Sequence, residues 1–106
     1  MQKVLIKSLP NQEFTFSVDG VGYQIALLSG LSGFMLADVY IDNELKVAGL
    51  RCLPGVPLIP YKYLNSGRDA NFYFLCINND LPDYTKFNDT QFLIYTPDGT
   101  IESELP

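Results

Sequence analysis

The sequence predicts a small all-β fold, either an antiparallel barrel or a sandwich of about seven short strands. Three observations support this class. Short runs alternate apolar and polar residues, turn signals separate the runs at fairly even spacing, and no helical pattern exceeds one turn. Seven tyrosines and seven phenylalanines fit strands as well, because aromatic side chains pack well on pleated surfaces. We expect a single β domain over residues 1–106, with a loosely held acidic tail at 97–106.

The first hairpin has the clearest local signal in the chain. The runs 14–18 and 21–27 both alternate apolar and polar residues, and Asp19-Gly20 separates them. Asp-Gly is typical of a two-residue turn in which both positions have positive φ. The turn predicts three pairs on one face of the sheet: Val18 with Val21, Phe16 with Tyr23, and Phe14 with Ile25.

The remaining strands are predicted from apolar runs between turn signals. A loop at 29–33 leads into a second hairpin, whose arms flank the turn Asp42-Asn43-Glu44. Both arms are more continuously apolar than the first hairpin, which predicts burial on both faces. Residues 83–88 are expected to form one helical turn or none. The predicted strands outside the first hairpin are 4–6, 34–41, 45–53, 72–77 (central in its sheet) and 91–95. Strand 4–6 could pair within the domain or with a neighbour's sheet edge.

A proline-containing segment follows the second hairpin, with Pro54, Pro57 and Pro60 three residues apart. Each proline fixes its own φ and restricts the preceding residue to extended conformations, so the segment is predicted to be a stiff, extended connector. It could cross between two halves of the fold, offer a Pro-x-x-Pro ligand to an SH3-like groove, or form a surface edge used in assembly. In the last case Leu58 and Ile59 would be apolar contacts. Because strands flank the segment, we favour connector and assembly edge together.

Composition argues against several partners. The formal charge is −5, and the seven basic residues are scattered, whereas nucleic-acid binding needs clustered Lys and Arg. No apolar run approaches the ~20 residues of a membrane span. The N-terminal apolar run is interrupted by Lys3 and lacks the pattern of a signal peptide. We therefore expect synthesis in a reducing cytoplasm, with neither nucleic acid nor membrane as a partner.

Few residues could carry chemistry. The chain has no histidine, and no cofactor site, glycine-rich phosphate loop or nucleophile motif is recognisable. Asp80, Asp83, Asp89 and Asp98 lie in turns, where Asp is favoured because its side chain bonds nearby backbone groups. The run 78–83 lacks the regular ligand spacing of a calcium loop. Cys52 and Cys76 lie in apolar runs and are expected to be buried thiols, not a disulfide or metal pair.

The order of these features resembles the small baseplate plug proteins of contractile-tailed bacteriophages and their prophage relatives. The similar parts are Asn11-Gln12-Glu13-Phe14, the Asp19-Gly20 hairpin with Tyr23, the strand 34–39, and the run Ala-Gly-Leu-Arg-Cys-Leu-Pro-Gly-Val-Pro-Leu at 48–58. The resemblance covers about residues 10–95. Two features depart from the family pattern: Phe34 stands where Trp is frequent, and Asp42-Asn43-Glu44 replaces an Asp-Gly type of turn.

The resemblance implies a non-enzymatic structural component of the virion, located in the plug and hub region of a tail baseplate. Its partners would be other tail proteins, namely the hub, the spike or the base of the tube, with self-association in the particle and synthesis in the bacterial host cytoplasm. Arg51 would pair with Asp38 across the sheet or with a group on a neighbouring subunit. The candidate interface residues are Arg51, Pro54, Gly55, Pro57, Leu58, Ile59, Pro60, Tyr61 and Tyr63.

An alternative is a stand-alone binding module. In that case Tyr61, Tyr63 and Tyr73 would be exposed and would bind a peptide or a sugar. An enzyme is the interpretation that the sequence favours least.

Overall fold

A computed structural model describes residues 1–30 and 33–102; the middle of the predicted loop at 29–33 and the end of the tail lie outside these ranges. The described residues form seven strands in two antiparallel sheets. One sheet has the order β2-β3-β4-β5 and the other β1-β7-β6. The strands are β1 (Gln2–Val4), β2 (Asn11–Val18), β3 (Val21–Ser29), β4 (Met35–Ile41), β5 (Glu44–Arg51), β6 (Asn71–Cys76) and β7 (Gln91–Thr96). The all-β prediction is confirmed. Because neither sheet closes on itself, the fold is sandwich-like and not a barrel.

The first hairpin has the predicted register. Val18 faces Val21, Phe16 faces Tyr23 and Phe14 faces Ile25. Asp19 and Gly20 have φ values of 50° and 77°, as a two-residue turn of this hand requires. Local turn chemistry and side-chain alternation therefore set the pairing of β2 with β3.

The second hairpin differs from its prediction in turn length and in burial. Ile41 pairs directly with Glu44, so only Asp42 and Asn43 form the turn, with φ values of 50° and 69°. β4 alternates between buried and half-buried residues, and β5 is mostly exposed. The prediction that both arms are buried on both faces was wrong, because β5 is the edge strand of its sheet.

Two strand positions also differ from the sequence-based prediction. β1 spans Gln2–Val4 instead of 4–6, and it pairs with β7 of the same chain. β6 was expected to be central, yet β7 occupies the centre of its sheet, between β1 and β6. β6 is aromatic-rich because both of its faces are buried: Phe72 and Phe74 face the other sheet, and Tyr73 lies in a second cluster on the opposite face.

The core lies between the two sheets and is centred on four aromatic rings. The Phe72 ring centroid lies 5.6 Å from that of Phe16, 5.1 Å from Tyr23 and 5.3 Å from Tyr95, in edge-to-face and tilted arrangements. Such contacts add about 0.5–1.5 kcal/mol per pair beyond the area they bury. Rings from both sheets thus join the sheets.

Both cysteines are buried and free, as predicted. Burial raises the pKa of Cys52 to about 12, and a smaller contribution comes from the nearby Cys76 thiol. Burial likewise raises the pKa of Cys76 to about 11. Since the thiolate is the reactive form, these thiols are inert at neutral pH.

Candidate assembly interface

The proline-containing segment runs beside the outer edge of β6. The Gly55 N–H donates to the Phe74 carbonyl at 2.9 Å, and the Leu58 N–H donates to the Phe72 carbonyl at 2.8 Å. Pro54 thus lies opposite Phe74 in a short parallel backbone pairing. These bonds satisfy part of an edge that would otherwise be open to another chain. The stiffness expected from the prolines stays a prediction.

The end of this segment is clamped by one side chain. Asn71 Oδ1 accepts from the Ile59 N–H at 2.9 Å, and Asn71 Nδ2 donates to the Ile59 carbonyl at 2.8 Å. Leu58 and Ile59 are only 1% and 2% exposed. Their interpretation as apolar surface contacts was wrong, because both side chains lie in the hydrophobic core. Pro60, directly after the clamp, is exposed.

A groove lies where Pro54 and Gly55 meet the end of β6. Its volume is about 430 Å³, and Ile77 and Ile101 add apolar surface to its walls. Pro54, Gly55 and Pro57 are half-buried. Gly55 has a φ of 71°, which a side chain would strain. Each of these three residues therefore packs against the rest of the chain on one side and is exposed to solvent on the other.

Arg51 is exposed and lies over an aromatic ring. Its Cζ atom is 3.8 Å from the centroid of Phe34, within the range of a cation–π contact. The predicted ion pair with Asp38 is absent from the described residues: Asp38 Oδ1 instead accepts from the Gly49 N–H at 2.6 Å. The register of β5 shifts opposite Ala37 and Val39, and this irregularity brings Gly49 to Asp38. We call Arg51 with Phe34 the Arg51–Phe34 stack.

Tyr61 and Tyr63 form a second exposed feature, called the tyrosine pair below. Their rings stack with centroids 5.7 Å apart and an interplanar angle of 16°. The side chains are 60% and 73% exposed. Tyr61 immediately precedes a 3₁₀ turn at Lys62–Asn65, and an exposed ion pair joins Lys62 to Asp69 at 2.8 Å.

A buried amide anchors that turn. Asn65 is fully buried; its Nδ2 donates to the Tyr23 hydroxyl and to the Ala70 carbonyl, both at 3.0 Å, and its Oδ1 accepts from Arg68 Nε at 3.1 Å. Tyr23 belongs to one sheet, and Ala70 directly precedes β6 of the other. The sequence Asn65-Ser66-Gly67 is typical of a polar turn, and nothing in this pattern reveals the burial of Asn65.

Tyr73, the third tyrosine of the binding-module hypothesis, is fully buried. Its expected exposure was therefore wrong. Its hydroxyl accepts from the Glu102 N–H at 3.3 Å, which ties the end of the described chain to the outer face of β6.

Two of the four turn carboxylates bond nearby backbone groups, as predicted. Asp83 Oδ1 accepts from the Thr85 N–H, and Asp98 Oδ1 accepts from the Thr100 N–H, both at 3.0 Å. Asp80 contacts side chains instead: Lys86 Nζ lies 2.7 Å away. A hydrogen bond from Lys86 is the main reason that the pKa of Asp80 is lowered.

Within residues 1–30 and 33–102, no cluster of His, Cys, Asp and Glu is arranged to hold a metal ion. None of the helices described is long and apolar enough to cross a membrane.

The family comparison decides the class of the protein. The family described as "cyanophage baseplate Pam3 plug gp18" matches residues 1–98. The chain belongs to this baseplate plug family. No curated protein matches the chain. Membership implies a structural role in a phage tail baseplate, and therefore contact with other baseplate proteins.

The family match includes every residue of the candidate interface. Of these, Arg51, Pro60, Tyr61 and Tyr63 are exposed on this baseplate plug, Pro54, Gly55 and Pro57 are half-buried, and Leu58 and Ile59 are buried. Among the candidate residues, the exposed ones thus lie at the two ends of the proline-containing segment.

Proposed function

We propose that this protein is a non-enzymatic plug in the hub region of a phage or prophage tail baseplate, acting through assembly contacts. The family match over residues 1–98 carries the proposal. The hub, the spike or the base of the tail tube are its partners, and it is made in the bacterial host cytoplasm before incorporation into the tail. Self-association in the particle belongs to the same proposal.

The contact residues in this proposal are the exposed ones at the ends of the proline-containing segment. The Arg51–Phe34 stack and the tyrosine pair combine the side chains most enriched at binding hot spots. Tyrosine offers a large contact area at a low cost in conformational entropy, since few torsions must be fixed. The existing stacking lowers that cost further, because the rings are already ordered before a partner arrives.

Deletion of the gene from its phage or prophage tests the structural role. Electron microscopy of induced lysates should show tails that lack a complete baseplate, and expression of the wild-type chain in trans should restore them. Infective tails of normal appearance after deletion would contradict the proposal.

The contact residues are tested by complementation with variants. Arg51→Ala and the double variant Tyr61→Ala/Tyr63→Ala should fold like wild type and yet restore few baseplates. Leu5→Ala is the matched control, because Leu5 is an apolar residue that is 89% exposed and lies outside the proposed contact. Equal complementation by all three variants would show that assembly uses another surface.

The stacked tyrosine pair also keeps the binding-module alternative open for a peptide or a sugar. Such a module would bind a small ligand saturably as a free chain. Glycan and peptide arrays probed with wild type and with Tyr61→Ala/Tyr63→Ala would detect it as a signal that the variant loses. Arrays with no signal that depends on these tyrosines would exclude this use of the pair.

A further inference from the structure

Of the sheet edges in the described chain, β2 is the one left long, regular and uncovered. The edge of β6 bonds with Gly55 and Leu58, β1 is only three residues long, and β5 is irregular at Gly49, which has a φ of 64°. β2 has eight residues in unbroken register with β3, and its sequence contains no Pro and no Lys. Natural proteins usually protect such an edge unless it pairs with another strand.

The hydrogen bonds of β3 show which backbone groups of β2 face this open edge. The Gly22 carbonyl accepts from the Asp42 N–H, and the Gly22 N–H donates to Asp42 Oδ1, so both Gly22 groups point away from β2. Ser17 is paired opposite Gly22, and its own N–H and carbonyl therefore point outward. By alternation, the same holds for Thr15 and Glu13. None of these backbone groups has a hydrogen-bond partner among residues 1–30 and 33–102.

We propose that β2 pairs antiparallel with β2 of a second copy, about a two-fold axis that passes between the two Thr15 residues. In this register Thr15 faces Thr15 of the second copy, and Glu13 faces Ser17. All these residues have outward backbone groups, so each pair exchanges both of its N–H···O bonds. The sheet then continues across the dimer.

The side chains of β2 fit this register on both faces. On the polar face, Glu13 of one copy lies opposite Ser17 of the other. In an alternative register with the two-fold axis at Glu13, the two Glu13 carboxylates would face each other and repel. On the apolar face, Phe14 lies opposite Phe16, a favourable aromatic cross-strand pair. Both phenylalanines are only half-buried in the single chain, so pairing would cover apolar surface. An isologous contact of this kind closes at two copies.

The proposal stands independently of the baseplate role, and one pair of variants tests its register. Thr15→Lys places like charges opposite each other at the axis, and it should raise the dimer dissociation constant about fivefold or more. Ser17→Lys places an ammonium group opposite Glu13 of the second copy, and it should lower that constant roughly two- to tenfold. The two variants change the net charge equally, so each controls for the other.

Sedimentation equilibrium of the purified full chain measures the constant, and amide hydrogen exchange locates the contact. We expect a dimer whose Glu13, Thr15 and Ser17 amides become protected as concentration rises. A wild-type chain that stays monomeric at millimolar concentration overturns the proposal. So does a dimer that responds equally to both lysine variants. Protection of these amides only by a strand of another baseplate protein would also overturn it, assigning the edge to that protein.

Discussion

Replacing Asn65 with alanine tests whether one buried amide holds the turn that displays the tyrosine pair. The substitution removes the donor to the Tyr23 hydroxyl and to the Ala70 carbonyl, and the acceptor for Arg68 Nε. Tyr23 is 1% exposed and Ala70 is buried. Their polar groups would therefore lose a partner in a place that water reaches poorly.

The expected cost follows from those two groups. A buried polar group left without its partner costs about 1–3 kcal/mol, so two groups give at most about 6 kcal/mol. The turn can relax, and the two groups can keep weaker hydrogen bonds, so the cost should be smaller than this sum. We expect the free energy of unfolding to fall by about 2–4 kcal/mol. Domains of this size are stable by only about 5–15 kcal/mol, so the effect should be plain.

Equilibrium unfolding in urea, followed by far-UV circular dichroism and tyrosine fluorescence, measures this loss. Asn78→Ala is the matched control, because Asn78 is exposed in the turn after β6 and should change stability by less than about 0.5 kcal/mol. The m-value should stay constant if both variants keep the same compact native state. An Asn65→Ala variant as stable as the control at equal m-value would refute the anchoring role of Asn65.

Three further predictions concern pH, thiol reactivity and backbone strain. The hydrogen bond from Lys86 lowers the pKa of Asp80 below its ordinary value of 3.8. The ionised Asp80 therefore stabilises the fold above pH 3.8, and this contribution is lost as the pH falls through the folded pKa. Asp80→Asn should flatten the acid side of a stability–pH curve measured by thermal unfolding. Cys52, with its pKa raised to about 12, should react with Ellman's reagent at pH 8 only after unfolding, and rapid labelling of the native chain would contradict its burial. Gly99→Ala should lower the melting temperature by several degrees, because the added Cβ would lie 2.9 Å from the Asp69 carbonyl oxygen at a φ of 79°; an unchanged melting temperature would argue against this close approach.

The first hairpin could be predicted residue by residue because its information is local. Asp19-Gly20 sets the turn, and the alternation on each side of it sets the same register. For β5 the continuous apolar run gave a wrong burial pattern. Residues such as Leu45 and Leu50 are apolar and yet lie on an edge strand with an exposed outer face, and strand order is a tertiary property that a single run does not encode.

The environment of Arg51 could not be predicted for a related reason. Asp38 is the expected partner of Arg51 because it lies on the neighbouring strand. The irregular register of β5 instead places the Gly49 N–H within hydrogen-bond distance of the Asp38 carboxylate. Phe34, the actual neighbour of Arg51, precedes β4, and no spacing rule links the two residues. Arg51 stands between apolar neighbours in the sequence, which predicts that it needs a partner, but only the structure shows which partner it has.

The proline-containing segment explains why only part of the predicted interface is exposed. A run of apolar residues between prolines resembles a binding edge in the sequence, but here Leu58 and Ile59 face the core while the backbone bonds to β6. Substitution of either residue would therefore weaken assembly by unfolding the chain. The exposed ends behave differently, because Arg51, Tyr61 and Tyr63 contribute little to the core. A defect in baseplate formation caused by these residues, at unchanged stability, can be attributed to lost contact with a partner.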